Sequence, residues 1–143
     1  MIKDIFKSIL KDFILFFIGG LMYVGIECLF RGHSHWTMFI LGGLCFGFIG
    51  SINEKFSWNL ALTSQMMISS IIITGMEFLF GIILNRIFLL DVWDYSDMPY
   101  NIDGQICLIF SVAWFFLSLI GIIVDDYIRY FLFKEEKPHY KIL

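Results

Sequence analysis

Four stretches of this chain, about residues 13–30, 35–52, 60–88 and 104–126, stay apolar for close to the ~20 helical residues needed to cross a hydrocarbon core. Runs of that length constrain the fold more than any local motif, because lipid offers the backbone no hydrogen-bond partner and a spanning segment must satisfy itself as a helix. Composition agrees. Hydrophobic residues make up 59% of the 143 and aromatic residues 19%, and mean hydropathy is +0.80, far above the roughly half-apolar usage of soluble domains. The expectation is an all-α membrane protein, one transmembrane domain over 1–143, with four transmembrane helices arranged as two hairpins.

The second run is the cleanest, with nothing ionised except histidine between Arg31 and Glu54, and its Gly43 and Gly47 are spaced to let another backbone approach. No Pro or Gly pair interrupts the third, which predicts one long helix rather than two short ones. The first run follows Lys3, Lys7 and Lys11 as a signal peptide would. It has no small-x-small cleavage site and carries Glu27, which favours a retained anchor. Ile5, Phe6, Ile9 and Leu10 alternate with those lysines at helical spacing, which predicts an amphipathic lead-in lying in the interface.

Charge sets the orientation. Lys3, Lys7, Lys11, Lys55, Arg129, Lys134, Lys137 and Lys141, eight of the ten basic residues, fall on one side of a four-span chain. The positive-inside rule then puts both termini, and the tail over 127–143, in the cytoplasm of a cell-membrane protein. Arg31 and Arg86 remain on the other side, with Asp91, Asp94, Asp97 and Asp103. Nothing in the charge distribution suggests nucleic-acid binding.

A six-residue phrase occurs twice, 50 positions apart, as GIECLF over 25–30 and GMEFLF over 75–80. Each copy places a glutamate, Glu27 or Glu77, inside an apolar run, where an ionised group costs at least ~2.5–3.5 kcal/mol. Spans one and three run the same way, so a structural repeat would set both carboxylates at similar depth. Glu27 and Arg31 are four residues apart, one helical turn with the acid first, the spacing of an ion pair. Glu77 and Arg86 are nine apart, nearly opposite helix faces, and are not expected to pair. Two readings follow: a polar pocket or solute path shared by the two hairpins, or an ion pair that fixes register while Glu77 bonds to a neighbouring hydroxyl.

His33 and His35 form an H-x-H pair beside Glu27 and are weak candidates for a metal; a polar turn anchored by Trp36 is the alternative. Cys28, Cys45 and Cys107 match no zinc or disulfide spacing and read as small buried hydrophobes. In the loop after span three, Trp93, Tyr95 and Tyr100 suit the headgroup layer and Pro99 fixes the chain direction. Asn101 or Asp103 is placed to cap the fourth helix, and the loop is expected to fold back as an ordered lid.

The run EFLFGIILNR over 77–86 is followed by WDYS over 93–96, Pro99, Asn101, GQICL over 104–108 and Trp114 in the next helix. This set resembles the CmpB-like family of type IV ABC-transporter permeases, small multi-pass proteins with a glutamate-bearing helix and a W-D-Y-S loop. GIECLFR over 25–31 is similar to the family's first-helix glutamate motif, so the resemblance covers most of the chain. After span one the family pattern has a G-P-x-x-P-I-Y-G-like stretch, and GHSHWTMFILGG over 32–43 stands instead. The resemblance therefore carries no substrate across. It implies a transport component, and because the chain has no P-loop, ATP hydrolysis would belong to a partner ATPase subunit. No cofactor is implied.

The preferred reading is a permease or transport component, homo-oligomeric or joined to a partner subunit. It would hold a small solute or lipid headgroup in an outward-facing pocket of Glu27, Arg31, Glu77, Arg86, Trp93, Asp94, Tyr95, Ser96 and Asn101. A structural or regulatory membrane subunit is the first alternative. A membrane-embedded enzyme with Glu77 or Asp94 as general base is the second, although no nucleophile-base set is visible. The expected Glu27–Arg31 pair generates a first test. Glu27→Gln or Arg31→Met alone should lower the yield of folded protein more than the double change; equal losses in all three would mean that the two are not coupled.

Overall fold

The computed structural model describes residues 1–143. Helix α1 runs Ile2–Arg31 and stops at Gly32, whose φ of 76° turns the chain and whose N–H closes on the Cys28 carbonyl. Helix α2, Trp36–Gly50, begins at His35, whose ring accepts from the Thr37 N–H, and passes through Ser51 into the short α3, Ile52–Lys55. Helix α4, Leu62–Gly81, continues into a π-helical turn over Ile82–Ile87. A two-stranded hairpin, β1 Asn101–Ile102 against β2 Ile106–Cys107 with Asn101 opposite Cys107, then leads into α5, Leu108–Phe133. Four helical stretches, Ile2–Arg31, Trp36–Lys55, Leu62–Ile87 and Leu108–Phe133, are long and apolar enough to cross a membrane. The chain is a multi-pass membrane protein by this criterion and by its composition.

Between apolar helices in lipid there is no hydrophobic drive to associate, so close packing of small residues has to hold them. Helices α1 and α2 meet through four glycines, each receiving an aromatic ring from the other helix. Gly19 lies against Phe46, Gly20 against Phe39, Gly42 against Tyr23 and Gly43 against Phe16. The Phe39 and Phe16 rings would stand 2.7 Å from a Cβ at Gly20 and Gly43 respectively. This corrects the expected Gly43–Gly47 contact. Gly43 is pressed against α1, whereas one turn further along nothing comes within 4 Å of a Cβ at Gly47.

Helix α2 also packs on α4 and α5, which pack on each other, so α2 joins the two hairpins. Met38, Leu41, Cys45, Ile49 and Ile52 from this side meet Ile73, Leu84, Trp93 and Trp114 in one buried cluster. Tyr23 of α1 stacks on Trp114 of α5, ring centroids 5.7 Å apart. Outward-facing Phe13, Phe17, Leu21, Ile71, Leu79, Phe116 and Ile120 remain exposed, as suits helices surrounded by hydrocarbon.

The bundle has a loop end, carrying residues 32–35 and 88–107, and a terminal end, where Lys11 of α1 and the C-terminal tail meet the 51–61 link. The amphipathic lead-in is continuous with the first span in one 30-residue helix, roughly 45 Å long at 1.5 Å per residue. Nothing between Lys11 and Phe13 breaks the helical hydrogen bonds and lets the lead-in turn flat. At the other terminus the helix extends to Phe133, past the apolar run, because Asp125, Asp126 and Arg129 are sheltered by partners rather than solvated.

Placing a Cβ on Gly42 drives it into Tyr23, so Gly42→Val should cost about 1–3 kcal/mol by overpacking. Gly47→Ala should change stability by no more than about 0.5 kcal/mol. Unfolding midpoints in mixed micelles will separate the two, and equal costs would refute the glycine interlock.

Candidate functional site

Glu77 is the organising group at the loop end. It is 2% exposed, and both carboxylate oxygens are taken: the Tyr95 hydroxyl donates to Oε1 at 2.8 Å and Trp114 Nε1 donates to Oε2 at 2.8 Å. One donor comes from the loop and the other from α5, so this carboxylate ties α4 to both. Burial, and then the carboxylate beside it, pushes the Tyr95 phenol far above its usual pKa and keeps it a donor. The Tyr95 ring also stacks on Phe110, centroids 4.8 Å apart.

Glu27, on α1, forms the ion pair expected from its spacing. Arg31 Nη1 donates to Glu27 Oε2 at 2.8 Å, while Nη2 reaches the Val92 carbonyl at 3.1 Å. The ion pair of α1 therefore also holds the loop.

The π turn widens the end of α4 and presents Asn85 and Arg86 to that loop, a use typical of π-bulges. Asn85 Oδ1 accepts from the Val92 N–H at 2.7 Å and its Nδ2 donates to Gln105 Oε1 at 2.9 Å. Arg86 pairs with the Asp103 carboxylate and also donates to the Asp103 carbonyl at 3.1 Å. Trp93, 4% exposed, lies beneath the loop and donates to the Gln105 carbonyl at 2.9 Å. Asn101 holds the loop from inside: Nδ2 donates to the Met98 carbonyl at 2.8 Å, and Oδ1 accepts from the Gly104 N–H at 3.0 Å. Neither Asn101 nor Asp103 caps the fourth helix, a correction to the sequence expectation. That helix starts only after the hairpin, with Cys107 at its cap position and no side-chain cap.

An open cavity of about 410 Å³ lies over this assembly. Arg86, Trp93, Asp94, Ser96 and Asn101 of the expected site line it, together with Asn85, Asp91, Asp103, Gly104 and Gln105, which the sequence reading missed as site residues. Glu27, Arg31, Glu77 and Tyr95 do not line it; they form the layer underneath that holds the loop. Asp94 accepts from the Ser96 N–H at 2.8 Å, and that bond, followed by the Ser96 hydroxyl, lowers its pKa. The carboxylate therefore remains charged at neutral pH. Leu89, Asp91, Tyr100 and Asp103 all have positive φ, a concentration of strained backbone found where surroundings over-determine a loop.

The histidines are used otherwise than in the metal reading. His35 caps α2 and His33 bonds to the Arg31 carbonyl at 3.1 Å; no three His, Cys, Asp or Glu side chains converge on a metal position.

A second polar cluster, at the terminal end, was not foreseen. Asp125 and Arg129 of α5, 0% and 5% exposed, bond at 2.7 Å. Arg129 also pairs with Glu54, which accepts from Lys11 of α1 at 3.0 Å. The signal was present, since Asp125 and Arg129 repeat the four-residue spacing of Glu27 and Arg31.

Two helical hairpins, the first locked by glycines against aromatic rings, with a buried carboxylate under a polar loop cavity, make up a small multi-pass membrane protein. The family model described as "Putative ABC-transporter type IV" matches residues 13–142, nearly the whole chain. The chain belongs to that family, as its motifs suggested. Comparison with curated proteins and with solved structures gives no match.

Removing one donor from Glu77 should be costly. Trp114→Phe leaves a buried oxygen without a partner and should cost about 1–3 kcal/mol. Combined with Glu77→Gln, the losses should be smaller than their sum by at least about 0.5 kcal/mol. Strict additivity in a double-mutant cycle would show that Glu77 is not held by Trp114.

Proposed function

We propose that this chain is the membrane-embedded component of a transport system and that the loop-end cavity receives a small polar solute or lipid headgroup. The carrying observation is the cavity itself: about 410 Å³ and open to the surface, with Trp93 its one apolar wall. Its size falls within the 300–1,000 Å³ common for small-molecule sites. Arg86 is neutralised by Asp103, which leaves Asp91 and Asp94 as the free charges of the lining. An amine-bearing or uncharged polar ligand suits that balance better than an anion.

In this reading Glu27, Arg31, Glu77 and Tyr95 act beneath the cavity by setting the loop on the bundle. The positive-inside distribution supports an outward cavity, cytoplasmic termini and residence in the cell membrane. The family supports an ATPase on a separate subunit, since the chain has no phosphate-binding loop of its own. Contacts within an oligomer would complete a solute path that four helices do not enclose.

A panel of choline, ethanolamine, putrescine, simple sugars and phosphate provides the test. A ligand at 100 times its Kd stabilises the fold by about 2.7 kcal/mol, readable as a shift in unfolding temperature. Asp94→Asn keeps the oxygen that Ser96 binds and removes the charge, so it should weaken an amine ligand about tenfold without altering the unliganded fold. If no compound shifts the midpoint, and the chain instead co-purifies with one partner indifferent to Asp91 and Asp94, the alternative of a structural or regulatory subunit replaces this one.

A further inference from the structure

Helix α4 begins without a side-chain cap. Ala61 occupies the cap position and offers no side-chain oxygen, so the first-turn N–H groups need another acceptor. They find it at the far end of the chain. The Leu62 N–H donates to the Lys141 carbonyl at 2.6 Å, the Thr63 N–H to the Ile142 carbonyl at 3.4 Å, and the Thr63 hydroxyl to the same carbonyl at 3.1 Å. After α5 ends, Lys134 takes a φ of 56° and the chain doubles back.

Side chains secure the same path. Tyr140 donates to Asp126 Oδ2 at 2.7 Å, beside Asn53 Nδ2, which reaches the same oxygen at 2.7 Å. Trp58 packs against the His139 ring, tilted by 32° with centroids 4.8 Å apart, and donates to Glu136 at 2.9 Å. Glu135 accepts from Lys11 of α1 at 2.5 Å. Pro138 is buried. Ten residues without regular secondary structure are thus fixed to α1, α4, α5 and the 51–61 link.

This segment covers a chamber. A cavity of about 150 Å³ is lined by Asn53, Glu54, Asp126 and Arg129 from the bundle, and by Glu135 and Glu136 from the tail. Within and behind it, Asn53 Oδ1 and Asp125 Oδ1 are buried acceptors with no hydrogen-bond partner in the protein, so an entering donor would find acceptors ready.

We propose that residues 134–143 are a lid that closes this charged chamber at the terminal end, and that its displacement opens the Asp125–Asp126–Arg129 group to solvent. The lid is held by interchangeable polar contacts and two carbonyl caps rather than by an apolar core, so it can detach without unfolding the four helices. The inference uses none of the loop-end cavity and stands apart from the proposed solute site.

Amide hydrogen exchange on the full chain in lipid nanodiscs tests it directly. First-turn amides of a helix exchange freely unless capped, so Leu62 and Thr63 report the lid itself. They should exchange at least tenfold more slowly in the unmodified chain than in one ending at Phe133, with the middle of α4 unchanged in both. If the shortened chain does not fold, His139→Ala with Tyr140→Phe replaces it, and a severalfold acceleration confined to these amides is expected. A second readout is Asn53→Cys in a Cys28→Ser background, where Cys45 and Cys107 are buried; a charged maleimide should react about tenfold faster once the lid is weakened. Unprotected Leu62 and Thr63 amides in the unmodified chain, or equal labelling with the lid intact and weakened, would overturn the proposal.

Discussion

The Glu77 carboxylate, set among apolar helices, is the constraint on which the loop end depends. A buried polar group of this kind persists only where its atoms are met by hydrogen-bond partners, and here the donors come from two distant parts of the chain. Trp114 brings α5 to α4, and Tyr95 brings down the loop. The loop must then close over the bundle in one way, and the cavity above it follows. The same centre reaches α1, because Tyr23 stacks on Trp114. A residue that looks like a transport carboxylate by its depth thus has a structural task first.

The two ends of the molecule solve similar problems with similar means. At each end an acid and an arginine four residues apart close an ion pair on one helix, Glu27 with Arg31 and Asp125 with Arg129. At each end the arginine also binds a segment from elsewhere, the Val92 carbonyl in one case and Glu54 in the other. The Glu27–Arg31 pair is partly exposed and the Asp125–Arg129 pair is buried, and an irregular segment packs back on the helices beside each. Between them the bundle is apolar and locked by glycine against aromatic rings. Polar contacts are therefore concentrated at the two ends of the bundle.

Membership of the transporter family agrees with this division. A chain without a nucleotide-binding loop contributes helices and surfaces, and its two polar ends are the parts available to a solute or to other subunits. Both polar ends carry more carboxylates than cations: Asp91, Asp94 and Asp103 against Arg86 at the loop end, and Glu54, Asp126, Glu135 and Glu136 against Arg129 and Lys11 at the terminal end.

Much of this was legible without coordinates because it depends on local composition. Four apolar runs of spanning length dictate four helices, since lipid leaves the backbone no other partner, and an acid four residues before an arginine dictates their meeting. The W-D-Y-S loop and the flanking glutamate helix likewise identify the family. What required the tertiary structure was every contact between segments far apart in sequence. Gly47 was expected at a helix contact and Gly42 was not, because spacing shows which residues share a helix face but not which face a neighbour will cover. Asn101 looked like a helix cap and instead fastens the loop, and Arg86 chose Asp103, because a π turn and a short hairpin reset the register that the sequence pattern implied. The basic residues of the tail served the sequence reading only as a guide to orientation; only the fold brings Lys11, Glu54 and Arg129 to the same place and folds residues 134–143 over them.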